Sequence, residues 1–235
     1  MSTQIPGVPP QEQKSLPSDT PGKGKTTMHK IMEVGTGMMQ SFAPVKQIDM
    51  HLSGFAFYNG QLDRQVELHH YCSRVNDEVT QCAVYESDKS DARLLGVEYV
   101  ISERLFRSLP EEEQIYWHSH ATDIKSASFI APGLPETMQR PLAQELANTY
   151  GKTFLMWQVD RGDVLPLGPP QLMMVCTRTE QWKPELFAHR DQRLGVDSEK
   201  IREARKDLDA HPVQGLADHW TTRPPLQCCV TPVNK

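Results

Sequence analysis

Three stretches in the middle of the chain leave few folds open. Residues 65–73, 79–85 and 94–102 are rich in Val, Tyr and Cys, which favour extended structure. The gaps between them are short and contain turn residues, Asn76-Asp77 in the first gap and Ser87-Asp88 in the second. Such short connections favour antiparallel hairpins, because a parallel crossover needs about a dozen residues or more. The sequence therefore predicts an antiparallel sheet at the centre of the fold.

Helical patterns surround these strands. The stretch 135–150 predicts a helix closed by Gly151, and the stretches 126–131, 153–159 and 171–177 predict further strands. Other helices are predicted over residues 103–109, 110–115, 184–193 and 198–210. Strands flanked by helices in this order indicate the α+β class, with an antiparallel-rich β-sheet flanked by helices in a single domain.

The distribution of prolines sets the domain boundaries. Five prolines lie among Gly, Ser, Thr and Lys in residues 1–27, a composition too poor in apolar side chains to fold, so this segment is predicted to be a disordered N-terminal tail. The single α+β domain is predicted over residues 28–215, and an irregular C-terminal tail over residues 216–235.

Charge and hydropathy argue against several functions. The net charge of −5 and the isoelectric point near 6.0 disfavour nucleic acid as a partner, since that binding depends on Lys and Arg against phosphates. The longest apolar runs, such as residues 172–176, are far shorter than a transmembrane segment. The five cysteines are irregularly spaced and do not indicate a secreted disulfide framework. We therefore expect a soluble, cytoplasmic protein.

Two tight groups of histidines are the main candidate site for chemistry. His69 and His70 are followed by Cys72, and His118 is separated from His120 by one residue. On a strand, His70 and Cys72 share a more apolar face while His69 points to the other, and His118 and His120 face the same way. His and Cys side chains are ligands of zinc and other transition metals, so these five residues are the predicted metal ligands.

Other interpretations of the histidines stay open. Glu67, Asp123 or His51 would complete a metal shell if the fold brings them near, and buried His and Cys side chains often only pack and form hydrogen bonds. Cys72 with His118 or His120 would also make a nucleophile pair. No phosphate loop or complete catalytic constellation is present in the sequence, which favours a non-catalytic protein.

A methionine-rich stripe precedes the predicted sheet. Its apolar side chains recur at helical spacing, which predicts a helix capped by Thr26 or Thr27 and ended before Pro44. This stripe either packs on the sheet as core or lies on a lipid surface with its flexible Met side chains. The residues predicted to face lipid in the second case are Met28, Ile31, Met32, Met39 and Phe42.

Several ordered motifs between residues 28 and 178 resemble the oil-body-associated protein family. They lie at residues 54–58 (GFAFY), 66–72 (VELHHYC), 95–99 (LGVEY), 117–120 (WHSH), 150–154 (YGKTF) and 157–174. The resemblance implies association with lipid droplets and a role in their integrity, and it implies no particular reaction. It gives no role to the histidines.

These observations lead to three functional hypotheses. The first is a non-catalytic protein that associates peripherally with lipid droplets, with the droplet surface or droplet proteins as its partners. The alternative is a metal-binding protein or metal-dependent enzyme that uses the His/Cys cluster. The third is a structural or interaction domain in which the histidines only pack.

Overall fold

The computed structural model of the protein describes residues 20–231. The strands of this region are β1 (Met50–Tyr58), β2 (Gln61–Asn76), β3 (Val79–Tyr85), β4 (Leu94–Ser102), β5 (His118–Ser119), β6 (Phe129–Ile130), β7 (Thr149–Leu155) and β8 (Gln171–Met174). Its α-helices are α1 (Thr27–Met39), α2 (Glu103–Arg107), α3 (Glu111–Gln114), α4 (Ala121–Lys125), α5 (Glu136–Leu146), α6 (Pro184–Leu194) and α7 (Ser198–Arg205).

The strands form one sheet that closes on itself. Going round it, β1 pairs with β2, β2 with β3, β3 with β4, β4 with β7, β7 with β8, and β8 with β1. The short strand β5 also pairs with β7, and the short strand β6 also pairs with β1. Every one of these pairs is antiparallel. The predicted α+β class with an antiparallel sheet is therefore confirmed, and β3 and β4 have the predicted ends.

The predicted helix over 135–150 is wrong in its last turn. Helix α5 ends at Leu146, and β7 then begins at Thr149 and runs through Gly151. Gly151 is therefore a residue inside a strand and does not close a helix. The structure also contains β1 and α4, which the patterning did not predict, and β2 is longer at both ends than the predicted strand.

Part of the core lies inside the closed sheet. An apolar cluster there receives side chains from strands β1, β2, β3, β4, β7 and β8. Its buried members are Ala56, Tyr58, Leu68, Val84, Leu95, Leu155 and Met173. Helices α4 and α5 and the segment after α7 cover an adjoining apolar cluster that includes Leu52 and Phe129. This packing fixes the inward faces of β2, β4 and β7, where the candidate site lies.

Helix α1 confirms the predicted helix as far as Met39, and Thr26 caps it by accepting a hydrogen bond from the His29 backbone N–H. Phe42, the last residue of the predicted stripe, lies beyond the end of the helix. None of its residues is buried. The side chains of Met28, Ile31 and Met32 are 64, 62 and 55 % exposed, so the stripe is not part of the core. No helix in residues 20–231 is long and apolar enough to cross a membrane.

The predicted tails are only partly covered. Residues 1–19 of the predicted disordered segment and residues 232–235 of the predicted C-terminal tail lie outside the described residues. Residues 222–231 have no helix or strand, but His219 and Asp218 just before them are buried against the domain. The domain boundaries at residues 28 and 215 stay predictions.

Candidate metal centre

A glutamate on β4 points into the interior of the closed sheet. Along this strand Val97 and Tyr99 are 45 and 46 % exposed, whereas Glu98 between them is buried. Alternate side chains of a strand point to opposite faces, so the carboxylate of Glu98 lies on the inward face. Sequence reasoning did not single out Glu98, because its neighbours Val97 and Tyr99 are apolar and the alternation of a strand then predicts that the glutamate points outward.

Two histidines approach the same carboxylate oxygen. The Nε2 atom of His118 lies 3.4 Å from Glu98 Oε1, and the Nε2 atom of His120 lies 3.7 Å from it. Strand β5 brings the two histidines to Glu98. His118 pairs with Gly151 of β7, β7 pairs in turn with β4, which carries Glu98, and His120 follows directly after β5. The three ligand atoms all lie within 4.8 Å of one another, and all three side chains are buried.

The three side chains converge beside Gly151, which has no side chain and so leaves room for them. A Cβ at this position would lie 2.6 Å from Glu98 Oε1, 2.6 Å from His118 Nε2 and 2.7 Å from His120 Nε2. Carbon at that distance from three polar atoms is a severe overlap, so any larger residue would displace the side chains. The cavity at the site has a volume of about 10 Å³, which is enough for one water-sized species.

The hydrogen bonds of Thr149 define the tautomer of His120. The Thr149 hydroxyl donates its proton to the Leu146 carbonyl at 2.7 Å, so its oxygen accepts from Nδ1–H of His120 at 2.9 Å. In the neutral imidazole, Nε2 then carries a lone pair that points towards Glu98. A hydrogen bond from Nδ1 of this kind is the usual arrangement of a metal-binding histidine.

The two carboxylate oxygens of Glu98 have different neighbours. The Thr153 hydroxyl donates to Oε1 at 2.7 Å, and His70 Nδ1 lies 3.4 Å from Oε2. Burial opposes ionisation of Glu98, but interactions with His70, His118 and His120 hold its pKa well below the usual range. Burial also lowers the pKa of His70 to about 4 and lowers the pKa of His118.

Several polar atoms at the site are buried without a hydrogen-bond partner. They are both ring nitrogens of His70, Nδ1 of His118 and Oε2 of Glu98. Buried polar atoms are normally paired, so a group of orphans in one place needs an explanation. Asp123, whose carboxylate accepts from the Ser128 hydroxyl at 3.0 Å, also lines the cavity, and burial raises its pKa well above the usual range.

The structure brings together three of the five predicted ligands. His70, His118 and His120 surround Glu98, whereas His69 lies on the opposite face of β2, as its position on the strand predicts. Cys72 is joined to Cys82 of β3 in a disulfide, so it has no thiol to offer a metal. For the same reason the hypothesis of a nucleophile pair formed by Cys72 and a histidine is wrong.

His69 belongs to a separate hydrogen-bonded group with His51 and Glu67. Its Nδ1 atom lies 2.9 Å from His51 Nε2, and Glu67 accepts from the Ser53 hydroxyl at 2.7 Å and from Arg193 at 2.5 Å. Glu67 and His51 therefore do not complete the shell around Glu98. Because its polar atoms have partners, this second group is explained by packing and hydrogen bonding alone.

Two imidazole nitrogens and one carboxylate oxygen are a donor set typical of zinc and related divalent metals. Fold and site thus define an α+β protein with a closed antiparallel sheet and a buried His–His–Glu cluster inside it.

Comparison with known proteins identifies the family. The family model described as a protein of unknown function, DUF1264, matches residues 42–209. Over 204 residues the chain is 45 % identical to oil body-associated protein 2C of Arabidopsis thaliana, which covers 85 % of this chain and 86 % of the relative. It is 46 % identical to protein 2A of the same series from Zea mays, covering 85 % of this chain and 81 % of the relative. The chain therefore belongs to the oil body-associated protein family, which confirms the resemblance seen in its motifs. No solved structure shows a significant match.

Proposed function

We propose that the protein associates peripherally with the surface of lipid droplets in the cytoplasm, without catalysing a reaction, and that helix α1 makes the contact. Two observations support this proposal. The similar proteins of Arabidopsis thaliana and Zea mays are named for oil bodies. Helix α1 also presents a row of apolar side chains, none of which is buried. The exposure of α1 is the observation that carries the proposal.

The arrangement of side chains on α1 suits an interfacial helix. At 3.6 residues per turn, Met28, Ile31, Met32 and Met39 fall within an arc of roughly 100°. Lys30 and Glu33 lie on the other side of the helix. The thirteen residues of the helix span about 20 Å, which allows it to lie in the plane of a monolayer. Unbranched methionines adapt to an irregular apolar surface such as packed acyl chains.

The expected affinity is modest. Each of the five side chains predicted to face lipid is 40 to 83 % exposed, and burying such a side chain contributes about 1 kcal/mol. Their sum of about 5 kcal/mol corresponds to a weak and reversible association. Binding of this kind depends on apolar area, so it should persist at high salt, unlike attraction to charged headgroups.

Flotation of the untagged protein with phospholipid-coated triacylglycerol droplets tests the proposal. We expect the wild-type chain to float with the droplets at low and at high salt. The double variant Met32→Glu/Met39→Glu should bind at least about 30-fold more weakly, because it loses about 2 kcal/mol of apolar burial. Its thermal unfolding should match the wild type, since both side chains are exposed.

The matched control is Met138→Glu/Met156→Glu. These two methionines are 56 and 48 % exposed but lie outside α1, so this variant should float like the wild type. Equal loss of binding in both double variants would contradict a role for α1. Wild-type protein that stays at the bottom with pure lipid, but floats with isolated droplets that keep their proteins, would identify a droplet protein as the partner and contradict direct lipid binding.

A further inference from the structure

We propose that Glu98, His118 and His120 bind one divalent transition metal of the zinc class inside the closed sheet. This inference goes beyond lipid-droplet association and depends on no part of helix α1. Of the five ligands predicted from the sequence it keeps His118 and His120, and it adds Glu98 of β4. The argument rests on the geometry of the three ligand atoms, on the space beside Gly151 and on the unpartnered buried atoms.

The spacing of the ligand atoms fits a metal ion better than direct hydrogen bonds. Ligands about 2.0–2.1 Å from a tetrahedral ion lie roughly 3.4 Å from one another. Glu98 Oε1 is 3.4 Å from one imidazole nitrogen and 3.7 Å from the other. A strong hydrogen bond between a carboxylate and a ring N–H would be shorter, at about 2.7–2.9 Å. The separations of Glu98 Oε1 from the two ring nitrogens therefore match those of ligands that share an ion, and all three atoms lie within 4.8 Å of one another.

The hydrogen bond of His120 to Thr149 leaves its Nε2 available to a metal. Because Nδ1–H donates to the Thr149 hydroxyl, the neutral imidazole has its lone pair on Nε2, which lies 3.7 Å from Glu98 Oε1 in a buried site. A divalent cation between these two atoms would bond to both and would balance a buried carboxylate.

Gly151 completes the arrangement. It leaves open the side from which all three ligand atoms are reached, and even a methyl group there would lie 2.6 to 2.7 Å from each. His70 is not within reach of all three ligand atoms. Its Nδ1 lies 3.4 Å from the second oxygen of Glu98, which is too far for a strong hydrogen bond.

The main competing explanation is a proton. If His120 or His118 is an imidazolium, it balances Glu98 without any metal, and the three side chains form a buried ion pair. The two explanations differ in a direct observable, since only the first predicts a bound ion in the protein as purified. They differ again at Gly151, because an added methyl group fills the space needed by an ion without removing either a ligand or a proton.

The first experiment uses the wild-type chain, purified without an affinity tag. We expect elemental analysis to find one metal ion per chain, and X-ray absorption at the metal edge to show nitrogen and oxygen neighbours with two imidazoles and no sulfur. Chelator should lower the melting temperature, and added Zn²⁺ should restore it. Protein that contains no metal, takes up no Zn²⁺ or Co²⁺ after chelator treatment and melts at the same temperature in chelator would overturn the proposal. A sulfur neighbour would overturn the ligand set.

Variants then locate the ion. His120→Gln and Gly151→Ala should each lose the metal, and His69→Gln should keep it, as a matched control at a buried histidine on the other face of β2. Circular dichroism and urea denaturation identify variants that fail to fold. If a variant fails to fold, the type of the ligands is identified from the X-ray absorption spectrum of the wild-type protein alone. Retention of a full metal content by folded His120→Gln, or its loss in folded His69→Gln, would contradict the site.

Discussion

Arg190 of helix α6 has a fully buried side chain that holds the turn between α4 and β6. Its guanidinium donates to the carbonyls of Ala127 and Ser128 at 2.7 and 3.2 Å, and to the Ser198 hydroxyl at 2.7 Å. It also lies 4.5 Å from the centre of the Phe55 ring. This turn needs support, because Ala127 has a left-handed backbone with φ of 60°. We predict that Arg190→Met destabilises the protein.

The size of the effect follows from two opposing contributions. Three hydrogen bonds from a charged donor are worth about 2 kcal/mol each, or about 6 kcal/mol in all. Burial opposes the charge and lowers the pKa of Arg190 to about 10, which at 1.36 kcal/mol per pKa unit corresponds to about 3 kcal/mol of cost. Methionine avoids this cost and keeps much of the apolar contact with Phe55. The variant should therefore lose about 3 kcal/mol of unfolding free energy.

Urea denaturation followed by tryptophan fluorescence measures this loss, and the melting temperature should fall by about 6–12 °C. The control is Arg107→Met, whose side chain is 64 % exposed and pairs with Glu103 on the same helix, so its effect should stay within about 0.5 kcal/mol. A loss below 1 kcal/mol for Arg190→Met would refute the reasoning, because the buried charge would then cost as much as its hydrogen bonds contribute.

Three further predictions concern charge and redox state. Hydrogen bonds from His69, Ser53 and Arg193 outweigh burial and lower the pKa of Glu67 to about 2, so its contribution is present above pH 4.5 and is lost as the pH falls towards 2. Measured by urea denaturation, Glu67→Gln should lower the free energy of unfolding by about 3 kcal/mol at pH 7 and by almost nothing at pH 2. An equal loss at both pH values would contradict the prediction. Burial raises the pKa of Asp218 to about 7, so the folded state loses stability as the pH rises from about 4 to 7. In urea denaturation, Asp218→Asn should therefore add up to about 4 kcal/mol of unfolding free energy at pH 8 and nothing at pH 3.5, and the same effect at both pH values would contradict this. Reducing the disulfide between Cys72 and Cys82, which are 10 residues apart, should lower the free energy of unfolding by at most about 3 kcal/mol, as measured by urea denaturation with and without dithiothreitol. The double alanine variant should not respond to the reductant. A wild-type protein that does not respond either would mean that the bridge is not formed.

Local patterns predicted the strands well where turns bound them. Asn76 and Asp77 mark the end of β2, and β3 and β4 begin and end at the predicted residues. Alternation along β2 then places His70 and His69 on opposite faces of the sheet. The strand period of two is strict, so these orientations were predictable from the sequence alone.

The region around Gly151 shows why other elements were not predictable. A glycine after a helical pattern usually indicates a helix end, and this led to the wrong end for α5. Here the glycine is needed because Glu98 and two histidines approach the backbone of β7 from one side. That requirement comes from residues 31 to 53 positions away along the chain, which no local pattern contains.

The same distance in sequence explains the missing ligand. Glu98, His118 and Gly151 come from three separate strands, and only the pairing of β4 with β7 and of β7 with β5 brings them together. The sequence suggested His70 with Cys72 because they are neighbours on one strand face. Pairing across the sheet instead brings Cys72 against Cys82, and Cys82 opposite Glu98. The sequence therefore showed which residues can bind a metal, but the order of the strands in the sheet determines which of them lie close together.

The two proposed sites are structurally separate, and this has a measurable consequence. No residue of α1 is buried, whereas Glu98 and His120 lie inside the closed sheet. Changes at distant sites without shared contacts normally have additive effects. Met32→Glu/Met39→Glu should therefore leave the metal content unchanged, and His120→Gln, where it folds, should leave flotation unchanged. Flotation that depends on the metal would show instead that α1 docks on the domain in a metal-dependent state, and the exposed stripe would then be a regulated surface rather than a permanent one.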